Sequence, residues 1–174
     1  LTQLKSFVFG VELFFHLGGV NRGTDEEILT GNVTGTLRLL EAIKKYGEPS
    51  ARILFASSSQ VYRLKNRVAK ISEASALQPE SIYGVSKKSA EDLFRISGLP
   101  FTILRLANVY GPGCRPDYNS VVATLCQRAK KNLPLKINGQ GKQNRDFIYI
   151  DDVVRAFVLA GFNEKSLAGK AYNV

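Results

Sequence analysis

Short apolar runs alternate with stretches of helical periodicity along most of the chain. Three runs have the length of single strands, namely residues 11–17 (VELFFHL), 52–57 (RILFAS) and 101–107 (FTILRLA). A shorter run at 135–137 (LKI) is predicted to form a further short strand. Because the runs are nearly continuous in apolar residues, they predict strands buried on both faces, as in a parallel sheet.

The first helical pattern begins near Thr24. Thr24 followed by Glu27 has the spacing of a capping box, which satisfies free N–H groups at a helix start. Gly31 is predicted to break or bend this element. From Asn32 the apolar positions share one helical face until Gly47 and Pro49 end the pattern: Val33, Leu37, Leu40 and Ile43.

Three more helices are predicted, around Tyr83 to about Ser97, near residues 119–131, and from about Asp151. Strands that alternate with helices indicate an α/β fold, with a parallel sheet covered by helices on both faces. Ligands of such sheets bind at the carboxyl ends of the strands. Three segments lie at predicted strand ends: residues 16–19, residues 57–59 and residues 107–108.

The composition is that of a soluble globular domain. The chain has 174 residues, 44% hydrophobic and 22% charged, and no apolar stretch approaches the ~18 residues that span a bilayer. No signal peptide is visible, and Cys114 and Cys126 form no ligand pattern, so we expect reduced thiols in a cytoplasmic protein. With only His16 and two cysteines, we expect no metal site.

A net charge of +9 leaves two interpretations open. It is either a solvated basic surface or a sign of an anionic partner, such as a nucleotide diphosphate or a nucleic acid. The lysines occur in scattered pairs without interleaved aromatic residues, which disfavours a nucleic-acid partner. We expect an anionic small molecule instead.

The stretch SIYGVSKK (81–88) carries the clearest candidate chemistry. Tyr83 and Lys87 are four residues apart, so on a helix they share a face. A nearby ammonium is expected to lower the pKa of the phenol, which can then exchange a proton with a substrate hydroxyl. Since this spacing often arises by chance, the pair alone carries little weight, and an ordinary surface helix is the alternative.

Six blocks of the chain, in order, resemble the extended short-chain dehydrogenase/reductases, specifically the NAD-dependent epimerase/dehydratase family that acts on nucleotide sugars. The blocks are FFHLGGVNR, NVTGTLRLLEA, ILFASSSQVY, PESIYGVSK, ILRLANVYGPG and NRDFIYIDDVVRAFVLA. The resemblance implies a Rossmann-like sheet with part of a small substrate-binding subdomain. It divides the chain into 1–108 of the dinucleotide-binding domain, 109–143 of the substrate-binding subdomain, and a returning segment at 144–174.

The resemblance also implies roles for single residues. Tyr83 is expected as the catalytic acid/base, Lys87 as its partner and as a ligand of the nicotinamide ribose, and Ser58 as the catalytic serine that also contacts substrate. The other residues implied to contact NAD are Leu17, Gly18, Gly19, Asn32 and Ala107. For Asn32, a helix cap is the alternative.

Two residues are implied to bind the nucleotide sugar. Asn108 is expected to contact the substrate, and Arg145 is expected to pair with its diphosphate. An ion pair of Arg145 with Asp146 or Asp151 is the alternative. Asn138 occupies a position where the family often stacks an aromatic ring on the base, so the nucleotide stays open.

The expected activity is that of an NAD(P)-dependent nucleotide-sugar epimerase, with NAD as cofactor and NADP not excluded. A 4-reductase or 4,6-dehydratase of surface-polysaccharide synthesis is the alternative, although Ser59 and Gln60 replace the Asp-Glu pair that dehydratases use.

The family's N-terminal glycine-rich loop is missing from the chain. We therefore expect the chain to be a fragment that binds NAD poorly. A non-catalytic fragment or scaffold is the alternative of another class. The expected partners are the substrate and a second copy in a homodimer, without nucleic acid or membrane.

Overall fold

The computed structural model describes residues 1–63, 70–118, 120–137, 139–141, 144–162 and 167–174. Four parallel strands form the main sheet in the order β1-β2-β3-β6: Leu13–His16 (β1), Arg52–Ser58 (β2), Phe101–Leu106 (β3) and Lys170–Asn173 (β6). A separate pair of parallel strands consists of Asn108–Tyr110 (β4) and Phe147–Tyr149 (β5). The predicted α/β class with a parallel sheet is confirmed.

Within the described ranges, six α-helices connect or flank the strands. They are Lys5–Val8 (α1), Asp25–Leu29 (α2), Gly35–Tyr46 (α3), Ile82–Ser97 (α4), Val121–Lys130 (α5) and Ile150–Phe162 (α6). In the part of the chain that the structure describes, no helix is long and apolar enough to cross a membrane.

Helices cover both faces of the main sheet, and β2 contributes to both layers of the core. Phe55 packs with Phe94 of α4 in one layer. Its neighbour in the strand, Leu54, packs with Phe157 of α6 in the second layer. Alternate residues of a strand point to opposite faces, so a strand that is apolar throughout fits between two helical layers.

The Thr24–Glu27 capping box is present as predicted, but the prediction of a strand at 135–137 is wrong. Residues 135–137 are not a strand, and their apolar side chains are exposed because no described neighbour covers them. Gly31 does interrupt the regular α-helix: α2 ends at Leu29, and a π-helical turn, Thr30–Thr34, joins it to α3. A Cβ on Gly31 would lie 2.6 Å from Val20 Cγ2, so the glycine lets the turn approach the preceding loop.

Helix α4 begins in close contact with the 3₁₀ turn Ser59–Val61 that follows β2. Ser81 caps the helix by accepting from the Gly84 N–H at 3.1 Å, and its hydroxyl donates to Gln60 Oε1. A Cβ built on Gly84 would lie 2.3 Å from the Gln60 carbonyl oxygen. The first turn of α4 can therefore reach the end of β2 only with glycine at this position.

We expect Gly84→Ala to lower the free energy of unfolding by roughly 1–3 kcal/mol, because the atom it meets is backbone and cannot rotate away. Gly35→Ala is the matched control in another helix, since its Cβ would meet only the Thr30 carbonyl oxygen at 3.9 Å. That control should be neutral or stabilising by up to ~1 kcal/mol. Urea unfolding followed by circular dichroism measures both, and equal stability of the two variants would contradict the close-contact explanation.

His16 joins β1 to α3 and is held neutral. Its Nε2 lies 2.9 Å from Thr36 Oγ1, while the Thr36 hydroxyl donates to the Asn32 carbonyl at 2.7 Å. The single hydroxyl hydrogen of Thr36 is donated to the Asn32 carbonyl. Thr36 Oγ1 can therefore only accept from His16, so the neutral imidazole carries its hydrogen on Nε2. Burial, with a smaller contribution from the Lys87 charge, lowers the pKa of His16 to about 4.

The lowered pKa of His16 predicts a loss of stability in acid. The unfolded chain takes up a proton near pH 6.5 and the folded chain only near pH 4, so stability falls as the pH drops through this interval, by a total on the order of 3 kcal/mol. His16→Gln removes this contribution, and its free energy of unfolding should therefore depend less on pH between 6.5 and 4. Identical slopes for the two proteins would refute the assignment.

Candidate active site

Tyr83, Lys87 and Ser58 converge where β2 meets the start of α4. Tyr83 and Lys87 lie on the face of α4 that packs on the sheet, and Ser58 is the last residue of β2. The Ser58 hydroxyl accepts from the Gln60 N–H at 3.2 Å, and it lies near enough to the Tyr83 phenol to lower the pKa of Tyr83. The three residues that the sequence assigned to catalysis are thus neighbours in space.

Lys87 reaches the sheet through the interior of the site. It is 4% exposed, and its Nζ donates to the Ala56 carbonyl at 2.9 Å. The same Nζ lies 4.8 Å from the ring centre of Phe55 and 5.9 Å from that of Tyr83. Burial lowers the pKa of Lys87 to about 8, so at neutral pH it is still mostly an ammonium.

The predicted lowering of the Tyr83 pKa is wrong for this structure. Burial raises the pKa of Tyr83 above its ordinary value, and the hydrogen bond with Ser58 only partly offsets this. A phenolate loses hydration in the interior, and the Lys87 ammonium, bonded to Ala56, does not compensate for the loss. Tyr83 is therefore a protonated phenol at neutral pH, ready to donate.

Leu17, Gly18 and Gly19 form an exposed segment directly after β1. A Cβ on Gly19 would lie 2.9 Å from Asn32 Oδ1 and 3.0 Å from Lys87 Nζ, whereas a Cβ on Gly18 would meet nothing within 4 Å. This backbone therefore touches the Lys87 end of the site on one side and is open on the other.

Asn32 lies in the interior beside the loop after β1 and does not have the helix-cap role that the sequence offered as an alternative. It lies in the π-helical turn, so it does not cap a helix, and it is 3% exposed. Its Oδ1 accepts from the Val20 N–H at 2.7 Å, and its Nδ2 donates to the Val20 carbonyl and to Ser86 Oγ, each at 2.8 Å. Both amide hydrogens are used, so Asn32 holds the loop after β1 against α4 and offers no N–H to a cofactor.

Ala107 and Asn108 follow β3 at the same edge of the sheet. The Ala107 N–H donates to the Val174 carbonyl at 2.8 Å, and Asn108 Nδ2 donates to the Asp146 carbonyl at 2.9 Å. The Asn108 side chain thus lies beside the segment that carries Arg145.

Arg145 is exposed and donates to the Asn144 carbonyl at 3.3 Å. It forms no ion pair with Asp146 or Asp151, which are also described. Asn138 lies outside the described residues.

The sequence analysis missed a buried carboxylate, Glu91, that receives the Ser57 hydroxyl and the Arg105 guanidinium. Its spacing of four from Lys87 was the available signal, since it puts Glu91 on the face shared by Tyr83 and Lys87. Nothing in the spacing indicated that Arg105, from another strand, would meet it.

The carboxyl edge of the main sheet, where Lys87 and residues 17–19 lie, fits the nicotinamide half of a dinucleotide. An ammonium has three N–H groups, and the described hydrogen bonds of Lys87 use one of them, which leaves donors for ribose hydroxyls. The open side of Gly18 gives a flat ligand access to the backbone. Among the described residues, no group of three or more His, Cys, Asp or Glu could hold a metal ion.

Comparison with known proteins identifies relatives over nearly the whole chain. The profile of the NAD-dependent epimerase/dehydratase family matches residues 3–174. A UDP-2-acetamido-2,6-beta-L-arabino-hexul-4-ose reductase of Pseudomonas aeruginosa is 35% identical, over 90% of this chain and 38% of its own length. An uncharacterised UDP-glucose epimerase of Bacillus subtilis is 35% identical, over 99% of this chain and 56% of its own length. The chain thus spans about half, or less, of these curated relatives.

Solved structures agree with the family profile. The UDP-glucuronic acid 4-epimerase of Bacillus cereus, solved with UDP-glucuronic acid and NAD, superposes with a TM-score of 0.89 at 32% identity. The match covers 98% of this chain and 56% of that one. The profile spans the chain, and the fold and the order of its motifs agree with it. This chain therefore belongs to the NAD-dependent epimerase/dehydratase family.

Proposed function

We propose that the protein containing this chain is an NAD-dependent 4-epimerase of a nucleotide sugar. The observation that carries the proposal is the cluster of Ser58, Tyr83 and Lys87 at the carboxyl edge of the sheet. The similarity to an epimerase solved with UDP-glucuronic acid and NAD supports a uridine diphosphate sugar as substrate. NADP stays possible, because no described residue selects between the two cofactors.

The proton chemistry follows from the two hydroxyls. A sugar hydroxyl held between Ser58 and Tyr83 can exchange its proton with the phenol, while Ser58 donates to or accepts from the same oxygen. NAD, when bound, supplies hydride transfer at the sugar carbon. Because the pKa of Tyr83 is raised, the phenol favours donating over accepting, and Ser58 is the described group that stabilises the phenolate needed for the reverse step.

Cofactor and substrate contacts complete the proposed site. Lys87 binds the nicotinamide ribose with the N–H groups that Ala56 does not use, and the backbone of residues 17–19 and Ala107 line the cofactor. Asn108 contacts the sugar nucleotide, and Arg145, which is exposed and free of ion pairs with its acidic neighbours, pairs with the diphosphate. The division into segments 1–108, 109–143 and 144–174 is part of the same proposal, supported by the separate β4–β5 pair.

A second candidate is a 4-reductase of surface-polysaccharide synthesis. The 35% identity to the Pseudomonas aeruginosa reductase favours it. A dTDP-glucose 4,6-dehydratase of Xanthomonas campestris is also a relative, at 33% identity. Elimination of water requires an additional acid and base, however, and Ser59 and Gln60 supply neither.

We also propose a cytoplasmic homodimer. The free thiols Cys114 and Cys126 are consistent with a reducing compartment. For the dimer, α3 and α4 expose large apolar side chains, namely Leu37 at 40%, Val85 at 39% and Ile96 at 78%. Val85 and Ile96 are eleven residues, about three turns, apart on one stripe of α4, and a second copy of these two helices is a complementary partner.

Tyr83→Phe in the full-length protein should lower kcat at least about a hundredfold, because the variant keeps the ring but cannot transfer a proton. NAD affinity should change little, as measured by fluorescence titration. UDP-glucose and UDP-glucuronic acid are the substrates to test, with products separated by chromatography. A variant with the turnover of the parent would refute the role of Tyr83. A parent that binds nucleotide sugar without converting it would favour a scaffold.

The same assay separates epimerase from reductase. An epimerase converts the sugar to its 4-epimer with no net change in absorbance at 340 nm, because each hydride removed is returned. A reductase consumes one reduced cofactor for each 4-keto sugar reduced. Stoichiometric oxidation of NADH or NADPH with a 4-keto nucleotide sugar, and no epimer formed, would replace the first proposal with the second.

Ile96→Glu should weaken the proposed dimer, because it puts a charge in the apolar contact. Sedimentation velocity across a range of concentrations should show a larger fraction of monomer in this variant. Val154→Glu, at a 54% exposed position of α6 on the other face of the sheet, is the control and should leave the association unchanged. A monomeric parent, or equal effects of the two changes, would refute the assignment of this face.

A further inference from the structure

A buried ion pair lies behind the catalytic residues and has no part in the proton chemistry. Glu91 of α4 is fully buried, and Arg105 of β3 is 3% exposed. Arg105 donates from Nε to Glu91 Oε1 at 3.0 Å and from Nη2 to Oε2 at 2.7 Å. This two-point contact fixes the carboxylate in a plane as well as at a distance.

The remaining acceptor capacity of Glu91 is also used. The Ser57 hydroxyl donates to Oε1 at 2.6 Å, and Arg95 donates from Nη1 to Oε2 at 3.3 Å. The carboxylate therefore receives four hydrogen bonds, two on each oxygen. A rotation or shift of α4 would break several of them together.

Glu91 lies on the same face of α4 as Tyr83 and Lys87. Tyr83, Lys87 and Glu91 occur at intervals of four along α4, on one face. Each of them faces a different residue at the end of β2: Lys87 donates to the Ala56 carbonyl, Glu91 accepts from the Ser57 hydroxyl, and Tyr83 interacts with Ser58. The last three residues of the strand are thus all attached to the helix.

Arg105 extends the network across the sheet. It lies opposite Ser57 in the β2–β3 register, and its Nη1 donates to the Tyr62 hydroxyl. That hydroxyl donates to Asn173 Oδ1 of β6 at 2.9 Å. Three strands and one helix therefore share a single chain of hydrogen bonds directly behind Ser58.

A buried ion pair is a poor source of stability, because the loss of hydration offsets much of the attraction, and apolar side chains often serve as well. The ion pair instead fixes the orientation of the groups that bond to it. We propose that Glu91 is a positioning residue: with Arg105, and through the Ser57 hydroxyl, it holds the end of β2 so that Ser58 stays within hydrogen-bonding reach of Tyr83. The consequence for turnover rests on the proposed function, whereas the geometry does not.

Ser57→Ala is the sharpest test, because it removes the link to β2 while leaving the Glu91–Arg105 pair intact. Loosening Ser58 should weaken its hydrogen bond with Tyr83, so the pKa of Tyr83 should rise by roughly half a unit or more. Incorporation of 3-fluorotyrosine, a more acidic analogue, allows titration by fluorine NMR at moderate pH. The fluorine signal of Tyr83 is identified as the one that is absent from the spectrum of Tyr83→Phe.

Activity gives the second readout. In Ser57→Ala, kcat on the nucleotide sugar should fall about fivefold to tenfold, the usual size of one lost hydrogen bond, with KM changed less than about twofold. Ser57→Thr keeps the hydroxyl and should restore both kcat and the pKa of Tyr83. If Ser57→Ala folds poorly, Ser57→Cys, which keeps the volume and weakens the donor, takes its place.

Ser97→Ala is the matched control. Ser97 is also a buried serine that bonds to α4, donating to the Phe94 carbonyl at 2.7 Å, but it lies at the far end of the helix. Its loss should lower thermal stability and leave the pKa of Tyr83 unchanged. A Tyr83 pKa in Ser57→Ala equal to that of the parent would overturn the proposal. A shifted pKa in a protein without turnover would retain it and reject the proposed function instead.

Discussion

Four hydrogen bonds converge on the Glu91 carboxylate in a part of the molecule that water does not reach. The three from Ser57 and Arg105 join α4 to the sheet, while the fourth comes from Arg95 of the same helix. A helix is rigid enough that its other residues follow. Tyr83 and Lys87 have their positions because they share a helical face with a residue that cannot move. The proposed catalytic cluster of Ser58, Tyr83 and Lys87 therefore depends on a contact in which no reacting group takes part.

Close approach and burial are the other two constraints on the site. Gly84 brings the start of α4 onto the Gln60 backbone, and Gly19 brings the loop after β1 onto Lys87. Such close packing excludes water, and burial then disfavours the charged form of both groups. It raises the pKa of Tyr83 and lowers the pKa of Lys87 to about 8. Each group is pushed towards its neutral form, so in the proposed reaction the substrate, the cofactor and Ser58 supply the stabilisation that the phenolate lacks.

Much of the fold could be predicted from local pattern. The strand at 52–57, the capping box at Thr24 and the helix that carries Tyr83 all depend on residues close together in the chain. Apolar periodicity and capping act within one or two turns, which is why reading the sequence suffices for them. The spacing of Tyr83 and Lys87 likewise puts both on one face of any helix that contains them, because residues four apart are one turn apart.

The sequence by itself determined the alternation of strands and helices, the order of the family motifs and the residues that carry the proposed chemistry. The tertiary structure decided the rest: the exposure of residues 135–137, the use of Asn32 to hold the loop at Val20, and the raised pKa of Tyr83. It also decided that Glu91 meets Arg105. These outcomes depend on desolvation and on contacts between distant segments, and neither is encoded in the spacing of neighbouring residues.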